Sequence, residues 1–341
     1  MNELPLAAEW TTDILGPDYQ RRTFPLGRDP DADPGTDGTV IATVVRHCSP
    51  ATLSAEAPAM LFVHGMSDYF FHTHVAEFFA AAGWAVYAVD LRKCGRSWRR
   101  SQRWHHASSL ELYFPDLTAA LDCVLREHPT VVINAHSTGA LTVVLWLDAL
   151  RRRDPARHER IAGAALNSPW FELMYARPKV LLGTAIYNVL GKLRPNTLLH
   201  RDAVAAYGQS LHTSEFGTWD YNLTYKPLGG QEKNYAWLRA ILLSQRRIHR
   251  GEIDCGLPLL VLCSTESWLR PEFSERIHSA DGVIDVHQIR RWANTLSEDV
   301  TIVGIPGARH DVYLSRPEPL ENALDATLIW ATDATNGNTK E

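Results

Sequence analysis

The sequence predicts an α/β protein: a mostly parallel, twisted sheet with helices on both faces and a helical segment inserted late in it. Three observations predict this. From residue 58 onward, short apolar runs alternate with helix-length stretches. The alternation halts over 170–254 and then resumes. Two segments rich in β-branched residues, joined by an Asp/Pro/Gly-rich stretch, precede it. Strands buried on both faces read as unbroken apolar runs, so their alternation with helices implies a covered parallel sheet.

The elements follow in order. Tyr19 to Leu26 and Gly38 to Val45 read as two antiparallel strands around the loop 28–38. Met60-Leu61-Phe62-Val63 is a short strand, His74 to Ala82 a helix, and Trp84 to Val89 the next strand. Leu110 to Arg126 is helical. Val131 to Asn134 is a strand that runs at once into a helix over Ala140 to Arg152, and Ile161 to Leu166 is another strand. Beyond the interruption come strand Leu259 to Cys263, helix Val286 to Leu296, strand Val300 to Ile305 and helix Pro319 to Ala331. The polar residues from Thr332 read as a frayed tail. The expected organisation is a core of 1–169 and 255–335, an inserted helical lid of 170–254, and a flexible tail of 336–341.

Composition narrows the function classes. Apolar residues make up 45% and charged residues 21% of 341, as in a soluble globular protein large enough for a sizeable core. The net charge of −5 and the absence of a basic stripe argue against nucleic acid as a partner. Arg151-Arg152-Arg153 reads as a helix end, where cations complement the dipole. No apolar run is long enough to span a bilayer, and Met1 to Pro5 lacks the features of a signal peptide. Five cysteines without CxxC spacing suggest neither a disulfide framework nor a zinc site, so a reducing cytoplasm is the expected location. Adjacent His105-His106 reads as loop rather than metal ligand, and His72 and His74 as solvent or cap residues at a helix start.

The chemistry sits where a strand meets a helix. Val131-Val132-Ile133-Asn134 leads into Ala135-His136-Ser137-Thr138-Gly139-Ala140, a small-x-Ser-x-Gly turn with serine at its apex. Such a nucleophile elbow, familiar in α/β-hydrolases, forces positive φ on the serine, so its neighbours must be small. Ala135 stands where glycine is usual, and Gly139 supplies the second small position. A serine hydroxyl needs a base, and the base needs an orienting acid. After the last strand, Gly307 permits a turn that can bring His310 back over the elbow. For the acid, no aspartate follows the strand that resumes the pattern. Asp281, flanked by Gly282, is favoured, with Glu266 and Asp285 as alternatives, the latter also reading as the N-cap of the helix at Val286. Oxyanion donors are expected from the backbone N–H groups of Thr138 and of Met66 in Val63-His64-Gly65-Met66, with His64 itself structural.

Four segments together resemble the monoacylglycerol lipase / lysophospholipase group of α/β-hydrolases, often classed with serine aminopeptidases. They are Phe62-Val63-His64-Gly65-Met66; Val89 to Ser97; Ala135 to Gly139; and Gly307-Ala308-Arg309-His310. The second is similar to the family's Asp-x-Arg-Gly-x-Gly-x-Ser segment, with Lys93 at the first glycine position and Cys94 where histidine is common. Ser279 to Asp285 resembles the segment carrying the family's acid at its first aspartate, which implies Asp281. The resemblance covers roughly 38–330 apart from the insertion and implies a serine hydrolase of carboxylic esters, with lipid-like or small acyl substrates. An acyltransferase or thioesterase would use the same triad, and a non-catalytic ligand-binding protein of the same fold is the alternative of another class. No metal or organic cofactor is implied. No acidic residues dedicated to a substrate amine are evident, which disfavours an aminopeptidase. The apolar run Val180 to Leu190 in the insertion is expected to line a substrate tunnel, and Asp68 to Phe71 to pack in the core or line the acyl pocket.

Overall fold

The computed structural model describes residues 9–175, 177–199 and 205–337. Among these, nine strands form one sheet in the order β1-β2-β3-β5-β4-β6-β7-β8-β9. The strands are β1 Thr11–Asp13, β2 Gly16–Arg28, β3 Thr39–His47, β4 Ala59–Val63, β5 Ala85–Asp90, β6 Val131–His136, β7 Ile161–Asn167, β8 Leu259–Ser264 and β9 Val300–Ile305. β1, β2 and β3 pair antiparallel, as do β3 and β5. From β5 to β9 every pairing is parallel, so the expected α/β class holds.

Helices cover both faces. On one side lie α1 Thr73–Ala81 and, near the chain end, α9 Pro317–Gly337; on the other lie α2 Phe114–Leu125, α3 Ser137–Arg153 and α8 Val286–Ala293. Strand β4 divides between these layers by its period of two. Ala59, Leu61 and Val63 pack with α2 and α3, while Met60 and Phe62 pack with α1. All five are buried, the pattern of a central strand.

Consecutive strands β7 and β8 are neighbours in the sheet, yet residues 168–258 separate them. Short α4 Pro155–His158 lies just before β7. The inserted segment carries α5 Arg177–Leu193, α6 Ala205–Leu211 and α7 Tyr235–His249. Helix α7 is amphipathic: Trp237, Ile241 and Ile248 join the core layer of α2 and α3. Helix α5 packs against α7, where Gly191 lets Arg239 and the Tyr235 carbonyl approach closely. Its other face, Leu181, Leu182, Ile186 and Val189, is exposed to solvent. The expectation that this run lines a tunnel is therefore wrong. Its apolar stripe and its packing stripe lie on different sides of the helix. The end of the chain also departs from expectation: α9 continues through Thr332 to Gly337 rather than fraying, and residues 338–341 of the expected tail lie outside the described residues.

Candidate active site

The sharpest turn in the sheet places Ser137. Strand β6 ends at His136, and α3 begins at Ser137 with φ of 51°. A non-glycine residue in the left-handed region is strained, and the cost is tolerated here because packing over-determines the turn. A Cβ on Gly139 would overlap the His64 carbonyl oxygen, so only glycine lets the elbow lie against the β4 loop. Gly65 serves from the other side, where a Cβ would sit 3.0 Å from the His136 ring and 3.2 Å from Ser137 Cβ. Two loops thus meet through backbone at the serine.

His310 Nε2 lies 2.9 Å from Ser137 Oγ, and His310 Nδ1 lies 2.9 Å from Asp281 Oδ2. The histidine follows β9 through Gly307, whose φ of 73° permits the turn. Asp281 is fully buried, and its Oδ1 accepts the N–H groups of Val283 and Ile284, which fixes the carboxylate. Although it stands 17 positions beyond Ser264 at the end of β8, the backbone brings it back: Asp281 N donates to the Glu266 carbonyl, and Trp268 N to that of Asp281. The other two acid candidates are not at the histidine. Glu266 is exposed and pairs with Arg276, while Asp285 caps α8 by accepting the His287 N–H.

Met66 and Thr138 border the same cavity as Ser137 and His310. Neither backbone N–H donates to a protein acceptor among the described residues. Thr138 is in the first turn of α3, where N–H groups are unsatisfied and the helix dipole is positive. His64 is structural, as expected: Nε2 accepts the Leu91 N–H and Nδ1 donates to the Gly65 carbonyl.

The cavity measures about 330 Å³. Trp170, Met174, Leu199, Leu211, Trp237 and Ile284 make one side apolar, while Asp68, His136 and Lys226 make a polar corner. Tyr69, Phe70 and Phe71 are buried in the core, and only Asp68 of that group faces the cavity.

Sequence reasoning missed this polar corner. His72 does stand at the N-cap of α1, but its side chain makes no cap bond, and neither His72 nor His74 is a solvent residue. His72 Nε2 is 2.9 Å from Asp311 Oδ2, and His74 Nε2 donates to the Tyr313 carbonyl. Asp311 also accepts from Asn167 Nδ2. Burial alone would raise the Asp311 carboxyl, but neighbouring His136 and His72 hold it well below its ordinary value. Burial pushes His136 down to about 4, and its Nδ1 donates to the Asn167 carbonyl. Lys226 Nζ lies 2.7 Å from Asp68 Oδ1. Among the described residues, Asp68, His136 and Asp311 form the one group with metal-ligand spacing, their ligand atoms lying within 4.8 Å of one another. Both carboxylates are already engaged by Lys226, His72 and Asn167, so the cluster is an internally paired network. The signal for these partners was weak because each lies 144 or more residues from its mate, or across an element boundary.

Sheet order, elbow and the Ser–His–Asp arrangement define an α/β-hydrolase fold. The chain belongs to the serine aminopeptidase S33 family, whose model matches residues 55–316. It is 26% identical over 281 residues to the monoacylglycerol lipase of Mycolicibacterium smegmatis, covering 80% of this chain and 86% of that one. It shares its fold with the monoacylglycerol lipase of Paleococcus ferrophilus at 20% identity and a TM-score of 0.61, over 82% of this chain and 96% of that one. A soluble variant of monoglyceride lipase from Saccharomyces cerevisiae gives a TM-score of 0.61 at 14% identity, over 88% and 93% of the two chains. The protein is therefore a member of this hydrolase family, with the fold of the monoacylglycerol lipases named above. No helix among the described residues is long and apolar enough to cross a membrane.

Proposed function

We propose that the protein hydrolyses carboxylic esters of apolar acyl chains through an acyl-enzyme on Ser137. The observation that carries this reading is the unbroken relay Ser137–His310–Asp281, with 2.9 Å at each link, opening into a cavity with an apolar side. Ser137 Oγ attacks the ester carbonyl as His310 Nε2 takes its proton. The N–H groups of Met66 and Thr138 hold the oxyanion, and Asp281 stabilises the imidazolium. His310 returns the proton to the leaving alcohol. It then takes one from water as the hydroxide attacks the acyl-enzyme, and gives that proton to Ser137 Oγ as the C–O bond breaks and the acid leaves.

Two further features support an ester over a peptide. Among the described residues Asp68 is the one carboxylate bordering the cavity, and it is already paired with Lys226, so no described acid there is free to receive a substrate amine. The matched relative is itself named a monoacylglycerol lipase. We read the segment 170–254 as a lid, because its Trp170, Met174, Leu199, Leu211, Lys226 and Trp237 roof the cavity.

The test is a panel of p-nitrophenyl esters, monoacylglycerols and acyl-thioesters assayed with the wild-type chain and Ser137→Ala. Ester turnover should fall by roughly 10⁴-fold or more in the variant, since nucleophile and base act as a unit. A wild-type chain inert to every ester and to a fluorophosphonate would point to a non-catalytic binding protein.

A further inference from the structure

We propose that Lys226 is a positioning residue for ester hydrolysis, holding the loop that carries the Met66 oxyanion donor. The inference rests on the hydrolase reading above and concerns how the insertion reaches into the reaction.

Residues 65–69 have little to define them from within. They make no backbone–backbone hydrogen bond among the described residues, and Ser67 sits at a strained φ of 56°. Gly65 packs on the elbow and takes the His64 Nδ1 bond, and Arg96 and Tyr225 lie against the Tyr69 ring. Four further polar contacts from elsewhere hold them. One comes from the core side, where the Ser67 N–H donates to His105 Nδ1 at 3.3 Å. The other three come from the insertion. The Gln231 N–H donates to Ser67 Oγ at 2.8 Å, the Asn222 N–H donates to the Tyr69 hydroxyl at 2.8 Å, and Lys226 Nζ meets Asp68 at 2.7 Å. The last is the strongest of these, and it is buried on both sides. Asp68 is 2% and Lys226 8% exposed, and the ammonium also lies 5.3 Å from the centre of the Phe71 ring. A lysine is rarely buried this deeply without a partner, and a charge pair in a low-dielectric pocket defines position well.

The consequence is that segment 222–231 sets where Met66 lies. Loss of the Lys226 ammonium takes from the buried Asp68 its ion-pair partner and leaves the Tyr69 N–H on Oδ1, and the loop loses its ionic anchor to the insertion. Because the oxyanion forms only as Ser137 attacks, the defect belongs to kcat rather than to ground-state binding. Stability suffers as well, since breaking one half of a buried pair strands the other. A variant without either charge separates the two effects.

The experiment compares wild type, Ser137→Ala, Lys226→Met and the double variant Lys226→Met/Asp68→Leu on a short p-nitrophenyl ester, with thermal melting of each. Losing one oxyanion donor costs about 10²–10³ in kcat, so partial misplacement should cost Lys226→Met roughly 10–100-fold. KM should change far less than kcat, although Lys226 borders the cavity, because the oxyanion exists only in the transition state. The double variant should regain most of the melting temperature while its kcat stays low. A kcat in Lys226→Met within about threefold of wild type overturns the proposal. So does a kcat that recovers together with the melting temperature in the double variant, because then the pair serves stability alone. If Lys226→Met does not fold, the double variant decides by the same two readings. An inert wild type would sink the hydrolase reading itself, whereas an active wild type, a dead Ser137→Ala and a fully active Lys226→Met would sink this inference only.

Discussion

The carboxyl edge of the sheet and the inserted segment build the same cavity by opposite means. At the sheet edge each group is placed by the backbone nearest to it. Ser137 rides a strained turn fixed by Gly65 and Gly139, His310 follows a glycine turn, and Asp281 is clamped by its own next N–H groups. In the insertion, placement depends on distant partners. Lys226 reaches Asp68, Tyr207 Oη accepts the Asp311 N–H, and Asn234 both caps α7 and meets His106. The lesson is that Ser137, His310 and Asp281 are each aimed by local backbone geometry, whereas the Met66 loop and the cavity's shape are held by tertiary contacts that sequence spacing does not record.

The largest effect expected from this contrast falls on the acid. Asp281→Asn should lower kcat by about 10⁴-fold, as loss of the orienting carboxylate does in the worked serine-protease triad. Glu266→Gln and Asp285→Asn should leave kcat within a few-fold. Glu266 is exposed on a surface pair, and Asp285 only caps α8, a role asparagine fills about as well. A steady-state assay on one ester distinguishes the three. A crippled Glu266→Gln beside an active Asp281→Asn would mean that the acid stands at the strand end.

That difference also marks what was legible in the sequence. The strands β4 to β8 were readable because burial on both faces leaves near-unbroken apolar runs such as Leu259–Cys263, and the partly buried edge strand β9 was readable from its apolar, β-branched run. The elbow was readable because its strain demands small residues at fixed offsets. β1 was not, since of Thr11–Asp13 only Asp13 is buried, and what holds it is an ion pair with Arg96, 83 residues on. Asp281 was readable only as a preference. The backbone bond from Asp281 to Glu266 that returns it to the strand end has no periodic signature. Helix α5 misled for a different reason. Its residues are apolar around most of the circumference, and periodicity could not say which side packs on α7 and which faces water.

A smaller effect should appear at the inner wall of the insertion. Leu199 is partly buried and borders the cavity, so Leu199→Trp should shorten the acyl chain that fits best. A buried methylene is worth about 0.8 kcal/mol, so each carbon excluded should change kcat/KM about fourfold. Chain-length profiles from acetyl to dodecanoyl p-nitrophenyl esters measure this. A profile parallel to wild type at every length would remove Leu199 from the substrate path.

Acid should test both regions together. Burial pushes His74, His106 and His136 each down to about 4, His136 at the core edge, His74 and His106 against Trp219 and Asn234 of the insertion. The unfolded imidazoles titrate near 6.5, so between about pH 6.5 and 4 the unfolded chain binds more protons. Stability contributed by keeping these rings neutral is present in full above that window and is lost as pH falls through it. The melting temperature should drop from pH 7 to pH 5, and His106→Gln should flatten part of that slope. A melting temperature independent of pH over this range would contradict the buried neutral state of these rings.

The smallest expected effect is at the outer face of the insertion, and it tests the comparison most directly. Leu182 is 64% and Ile186 46% exposed, and neither borders the cavity. Replacing an exposed side chain removes little buried area, and such changes usually stay within about 0.5 kcal/mol. Leu182→Lys and Ile186→Lys should therefore leave the melting temperature, the rate on short esters and the chain-length profile close to wild type, unlike Leu199→Trp on the inner wall. They should also reduce self-association at high concentration, measurable by light scattering, because they interrupt an exposed apolar stripe. Should either lysine variant instead lower the melting temperature by several degrees and flatten the chain-length profile, α5 would have to turn this face inward in solution. The inserted segment would then build the cavity with both of its surfaces, and the division between an inner wall that shapes the substrate path and an outer face that does not would fall.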